Sequence, residues 1–157
     1  MKTHSLILSA AALAVLSTFA SATEKELTAK QVPQAVHEAF QKAHPAVKEA
    51  KYSEETADGK TLYEVAFKDG GKKFEASYSA DGTLIETEEE IKTAELPAPV
   101  LDAVKKAHPH AAVHEAEKVT KADGTTGYEV EIADGKKKLE IELDAAGTIV
   151  KTEAKND

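Results

Sequence analysis

The stretch Thr126-Gly127-Tyr128-Glu129-Val130-Glu131-Ile132-Ala133-Asp134-Gly135-Lys136-Lys137-Lys138-Leu139-Glu140-Ile141-Glu142-Leu143-Asp144 decides the fold. Tyr128, Val130 and Ile132 alternate with Glu129 and Glu131, and beyond Asp134-Gly135 Leu139, Ile141 and Leu143 alternate with Lys138, Glu140 and Glu142. A two-residue period belongs to a strand with one dry and one wet face, and Asp-Gly between two such runs marks a hairpin. The stretch therefore predicts an antiparallel pair with its apolar set inward and its charged set in water.

The same pattern stands 65 residues earlier. Between Ala57–Thr87 and Ala122–Thr152, 16 of 31 positions are identical without a gap, among them Tyr63-Glu64-Val65 with Tyr128-Glu129-Val130 and Asp69-Gly70 with Asp134-Gly135. Upstream, Pro33, Val36, Ala39, Lys42, Ala43, His44 and Pro45 recur as Pro97, Val100, Ala103, Lys106, Ala107, His108 and Pro109. A self-match of this length is a duplication. Each copy opens with a proline suited to the first turn of a helix. An apolar stripe at helical spacing follows, and a His-Pro pair stops the helix, since a residue before proline leaves the α region. Helices of about 11 or 12 residues are expected, too short to persist in water without packing. Further strands are expected around Ala50–Glu55 and Thr83–Thr87, with counterparts around Ala116–Lys121 and Thr148–Thr152, joined by turns at Asp58-Gly59, Asp81-Gly82, Asp123-Gly124 and Ala146-Gly147.

The expected fold is α+β: two tandem repeats, each a helix packed on a three- or four-stranded antiparallel meander, the sheets running together or not. Lys2, the run Leu6–Leu16 and Ala20-Ser21-Ala22 have the layout of a cleavable secretory leader. The expected divisions are a signal peptide over 1–22, a first repeat over 23–91 and a second over 92–157. Each repeat, at about 65 residues, is marginal alone.

The 157-residue chain carries 20 Lys and no Arg against 28 acidic residues, a formal net charge of −8, with no Cys and no Trp. This balance argues against nucleic acid as a partner. The lack of Cys removes disulfides, thiolate metal sites and a cysteine nucleophile. Past the leader no window has the ~18 apolar residues of a membrane helix. The expectation is a periplasmic protein, off the membrane after cleavage.

Val32-Pro33, His44-Pro45, Asp58-Gly59, Tyr63-Glu64-Val65 and Asp81-Gly82, repeated as Leu96-Pro97, His108-Pro109, Tyr128-Glu129-Val130 and Gly147, resemble the PepSY-like family, also described as β-lactamase-inhibitor-like. The resemblance covers the whole chain after the leader, as a tandem pair. It implies an exported α+β protein that binds or inhibits other proteins. PepSY domains proper occur in propeptides of thermolysin-type metallopeptidases, so a peptidase inhibitor is one implied role. The family's namesake inhibitor presents aromatics from its sheet and is disulfide-linked. Here the wet face is Glu and Lys and Cys is absent, so β-lactamase inhibition does not carry over.

Three imidazoles, His108, His110 and His114, fall within seven residues and are a candidate site for Zn²⁺, Cu²⁺ or Ni²⁺, with Glu115 or water as a fourth ligand. The alternative has His108 ending a helix, as His44 does, and the other two solvated. Glu86, Glu88, Glu89 and Glu90 cluster where the copies join, while alternation puts Glu129, Glu131, Glu140 and Glu142 beside Lys138 on a solvated face. The Asp-Gly turns lack the ligand spacing of a calcium loop, and there is no phosphate loop, nucleophile elbow or dinucleotide fingerprint. No enzyme and no cofactor are expected. Tyr52, on a strand where alternation is weak, is a candidate exposed anchor for a partner. The expected function is non-catalytic binding of an exported protein or peptide through the sheet face, an edge strand or Tyr52. The alternative is metal binding at the histidines.

Overall fold

The computed structural model describes residues 23–57 and 59–155. The leader expected over 1–22 and Asp58 of the first turn lie outside the described residues. In chain order the elements are β1 (Thr23–Leu27), α1 (Gln34–Ala43), β2 (Ala50–Ala57), β3 (Lys60–Asp69), β4 (Lys72–Tyr78), β5 (Leu84–Glu90), a 3-10 turn (Thr93–Glu95), α2 (Ala98–Ala107), β6 (Ala112–Lys121), β7 (Thr126–Asp134), β8 (Lys137–Asp144) and β9 (Ile149–Ala154).

All nine strands form one antiparallel sheet in sequence order. This corrects the expected fold class of two helix-on-meander repeats, because no boundary divides the sheet. β5 pairs with β6 along Glu86↔Lys121, Thr87↔Thr120 and Glu89↔Lys118. Two separate meanders would leave two more rows of unpaired N–H and C=O groups, which this seam satisfies while setting opposite charges across from one another. β1 is an added strand, absent from the expected set because Thr-Glu-Lys-Glu-Leu has too little apolar character to announce one. It lies against β2 with Glu24↔Glu55 and Glu26↔Ser53, the place β5 takes against β6 with Glu86↔Lys121 and Glu88↔Val119.

Register carries the alternation across the sheet. Val65↔Ala76 and Val130↔Ile141 stand on one face, Glu64↔Ser77 and Glu129↔Glu142 on the other. Both helices lie on the apolar face, over two cores. One packs Val36 and Phe40 of α1 on Val65, Phe67, Ala76 and Tyr78; the other packs Val100 and Val104 of α2 on Val130, Ile132, Ile141 and Leu143. Each helix has 10 residues, and Pro33 and Pro97 precede them as N-caps with extended ψ of 135° and 143° rather than entering the first turn. His44 and His108 end them, each donating its backbone N–H to the carbonyl four residues back, Phe40 and Val104 respectively.

The turns between β4 and β5 and after β8 fix the helices in place. Gly82 and Gly147 have φ of +82° and +85°, and a Cβ on either would overlap the carbonyl oxygen of Ala35 or Pro99 at the start of a helix. Gly124 has the same kind of φ, +86°, but open space around it. Gly147→Ala therefore meets strain and overlap together and is expected to lower stability by about 2–4 kcal/mol. Gly124→Ala meets strain alone, about 1–2 kcal/mol. Equal losses in paired urea melts would show that the helix contact is not limiting.

Candidate functional site

Since both helices cover one face, the other is left open by the described residues, and alternation fills it with carboxylates. Across the strands it presents Glu64 (β3), Glu75 (β4), Glu86 and Glu88 (β5), Glu117 (β6), Glu129 and Glu131 (β7), and Glu140 and Glu142 (β8). Direct cross-strand neighbours include Glu75↔Glu88, Glu90↔Glu117, Glu117↔Glu129, Glu129↔Glu142 and Glu131↔Glu140, each a like-charge pair.

The crowding is greatest at the seam. One carboxylate oxygen each from Glu88, Glu117 and Glu129 lies within 4.8 Å of the others, the single group of this kind among the described residues. Val119, opposite Glu88 and itself buried, and Gly127, opposite Val119, furnish the low floor beside them. A shallow depression lined by Glu115, Glu117, Glu129, Glu131, Glu140 and Lys155 continues toward β9.

The lysines reach the margins of this face. Lys155 Nζ lies 3.2 Å from Glu131 and 2.9 Å from Glu140, and Lys151 Nζ lies 2.9 Å from Glu153 and 3.5 Å from Glu142. Lys73 pairs with Glu90. Burial alone would lower the Lys155 ammonium, but Glu140 and Glu131 hold it above its ordinary value.

The histidines of the sequence are placed elsewhere. His108 Nδ1 is 2.9 Å from Asp134 Oδ2 at the end of α2, His110 is exposed in the following loop, and His114 is an exposed bulge residue, since β6 shifts register between Val113 and Glu115. Tyr52 is half-buried, paired with Val65 on the helix-covered face, its hydroxyl 3.5 Å from His37 Nδ1. The sequence displays Glu88, Glu129 and the other acids, but as separate solvated sets at the junction and in the second hairpin. Their meeting follows from the β5–β6 pairing, whose only signal is the opposite charge of Glu86 and Glu89 to Lys121 and Lys118.

Residues 20–86 and 61–151 each match the family model described as "Putative beta-lactamase-inhibitor-like, PepSY-like". The chain belongs to this family. Comparison with curated proteins gives no match. Among solved structures, a DUF2874 family protein from Bacteroides uniformis is 17% identical with a TM-score of 0.63, covering 78% of this chain and 88% of its own. A protein from Bacteroides eggerthii named as periplasmic is 16% identical with a TM-score of 0.64, over 78% and 88% of the two chains. A BLIP-like protein from Bacteroides fragilis is 21% identical with a TM-score of 0.58, over 79% and 88%. The likeness at these identities is one of fold.

On this PepSY-like sheet, burial and mutual repulsion act in one direction. Burial first, then Glu129, Glu117, Glu86 and Glu75, holds the Glu88 carboxyl far above its ordinary value; burial, then Glu140, Glu142 and Glu117, does the same to Glu129. Glu117 is pushed up to about 7, by burial and then by Glu75 and Glu115, against the relief of Lys155. Burial followed by Glu55 pushes Glu64 up to about 7, although Ser53 Oγ donates to it at 3.1 Å. Three turn aspartates behave oppositely. The Ser79 hydroxyl lowers Asp81, and the backbone N–H groups of Thr125 and Thr148 lower Asp123 and Asp144.

Linkage turns these shifts into a pH profile. Below pH of about 4.5 Glu64, Glu88, Glu117 and Glu129 are protonated folded or unfolded, and the stability they contribute is fully present. Above it the unfolded chain releases protons that the folded face retains, so stability falls as pH rises, and the Glu117 and Glu64 share is fully lost above about 7. The turn aspartates remove stability only as pH falls below their ordinary value of 3.8. Thermal melts are expected to peak near pH 5 and decline toward pH 8, at ~3–6 °C per kcal/mol. Glu117→Gln is expected to raise the melting temperature at pH 8 by several degrees and leave it little changed at pH 4.5. A profile rising from pH 5 to 8 would contradict the assignment.

Proposed function

We propose that the chain is a non-catalytic protein of the periplasm, duplicated over 23–91 and 92–157, whose acidic sheet face binds a cationic segment of another exported protein or peptide. The observation that carries this reading is the convergence of Glu88, Glu117 and Glu129 within 4.8 Å on the face opposite both described helices. A Lys or Arg side chain brought to the three carboxyls supplies the positive charge they lack, in surroundings where a charge pair is stronger than in water. Neighbouring glutamates spread the negative field over the rest of the face, which favours encounter with a cationic partner and suppresses acidic ones.

The family description as inhibitor-like and the naming of the B. fragilis neighbour as BLIP-like support protein binding rather than catalysis. The naming of the B. eggerthii neighbour supports the compartment, together with the leader expected over 1–22.

Binding of a cation to protonated carboxyls releases protons, so affinity for a Lys-rich oligopeptide is expected to rise between pH 6 and pH 8 and to weaken steeply toward ~0.5 M salt. In calorimetry the heat depends on the buffer's ionisation enthalpy. Glu88→Gln, Glu117→Gln and Glu129→Gln combined are expected to weaken binding about tenfold at pH 8 and to flatten its pH dependence. No binding at low salt, or an affinity the triple variant leaves intact, would overturn the reading; a parallel titration with Ca²⁺ separates a peptide site from one that takes only a metal ion.

A further inference from the structure

The strand β9 repeats β5 but, among the described residues, has no neighbour on its outer side. In β5, Ile85 occupies a bulge, as the register steps from Ser77↔Glu86 to Tyr78↔Leu84, and its carbonyl accepts the Ala122 N–H of the β6 side at 2.8 Å. In β9, Val150 occupies the same bulge, between Glu142↔Lys151 and Leu143↔Ile149. No strand of the described residues covers it, and Val150 is 68% exposed where Ile85 is 37%.

The backbone orientation along this edge is determined. Lys155 donates its N–H to Lys138 O, so the alternate residues Glu153 and Lys151 also turn their main-chain groups toward β8. Thr152 and Ala154 then turn theirs to the open side, as Thr87 and Glu89 of β5 turn theirs to β6.

We propose that a second copy of this chain covers the edge, β9 pairing with β9 antiparallel about a two-fold axis at Thr152. This register sets Thr152 opposite Thr152, Val150 opposite Ala154, and Lys151 opposite Glu153. The first two pairings use the outward N–H and C=O groups, about six hydrogen bonds in all. The third is a non-hydrogen-bonded position, where side chains approach most closely and opposite charges meet twice, once on each side of the axis. Lys151 and Glu153 already hold one another at 2.9 Å on the acidic face, so both are oriented for the exchange. Val150 is covered by the partner strand, as an isologous contact requires.

The other open edge does not have this property. An antiparallel self-pairing of β1 about Lys25 sets Lys25 against Lys25 and Glu24 against Glu26, like charges at every charged position, with Thr23 against Leu27. The charge pattern thus favours β9, and two sheets joined there form one sheet with the helices of both copies on the same side.

Sedimentation equilibrium of the chain without its leader, at up to about 100 μM and ~0.15 M salt, is expected to show a monomer–dimer equilibrium. Thr152→Pro removes an outward N–H while leaving the β8 bonds in place, so it is expected to raise the dissociation constant at least tenfold with circular dichroism unchanged. Lys151→Glu and Glu153→Lys each place like charges across the axis and weaken the dimer; the double exchange restores opposite charges and the dimer with them. A monomer throughout this range, a dimer indifferent to Thr152→Pro, or a double exchange no better than the singles would overturn the proposal.

Discussion

Every feature of this molecule depends on a single constraint, the two-residue period of its strands under a cover that exists on one side only. Val65, Ala76, Val130 and Ile141 must face the helices because only there can they leave water, and the residues between them are committed to the opposite face by geometry. An antiparallel sheet tolerates this arrangement because its second face needs no cover. The helices are secured in turn by two glycine turns, each admitting a helix carbonyl where a side chain would stand.

The same constraint generates the electrostatics. Residues placed on the open face for solubility are brought close together once nine strands pair side by side, and their carboxylates shield one another from water. Glu88 comes from the strand before the second helix, Glu117 and Glu129 from the hairpin after it, so their meeting is a property of the continuous sheet. In the first half β1 stands where β5 stands in the second, and Glu64 there has Ser53 and Glu55 beside it in place of Glu117. A serine that donates a hydrogen bond makes the corresponding spot milder. The three-carboxyl convergence therefore occurs at the seam, although the backbone pattern is repeated.

Much of the fold was legible because alternation and turn chemistry are local. Tyr128–Leu143 was readable as a hairpin from its period, and the helix ends from Pro33, His44-Pro45 and their counterparts. The union of the two halves was not, since a pairing between β5 and β6 adds no apolar pattern to either strand: Leu84–Glu90 is almost wholly acidic past Ile85. β1 was hidden for the same reason. The histidines are conspicuous in the sequence through rarity and nearness, but a strand bulge at His114 and the Asp134 contact of His108 depend on neighbours 18 and 26 residues away. The acids were visible one by one, whereas their density depends on register across strands distant in sequence.

The two halves show which demands are strict. The first core is aromatic, with Phe40, Phe67 and Phe74 in contact and the His44 ring 4.4 Å from that of Phe67. The second is aliphatic, with Val104, Ile132 and Leu139 at those places, and His108 has turned to Asp134. Core volume is redistributed between the copies while the glycines beside the helices (Gly82 and Gly147), the prolines before the helices and the tyrosine-glutamate-valine run are identical. Packing accepts many apolar combinations of suitable size. A backbone that must adopt positive φ beside a helix carbonyl accepts far fewer. The alternation imposed by Tyr-Glu-Val is equally rigid, because it keeps the core beneath each helix and the acids on the far side; losing it by one residue would exchange the two faces. The acidic surface and the covered core are therefore inseparable consequences of the same register.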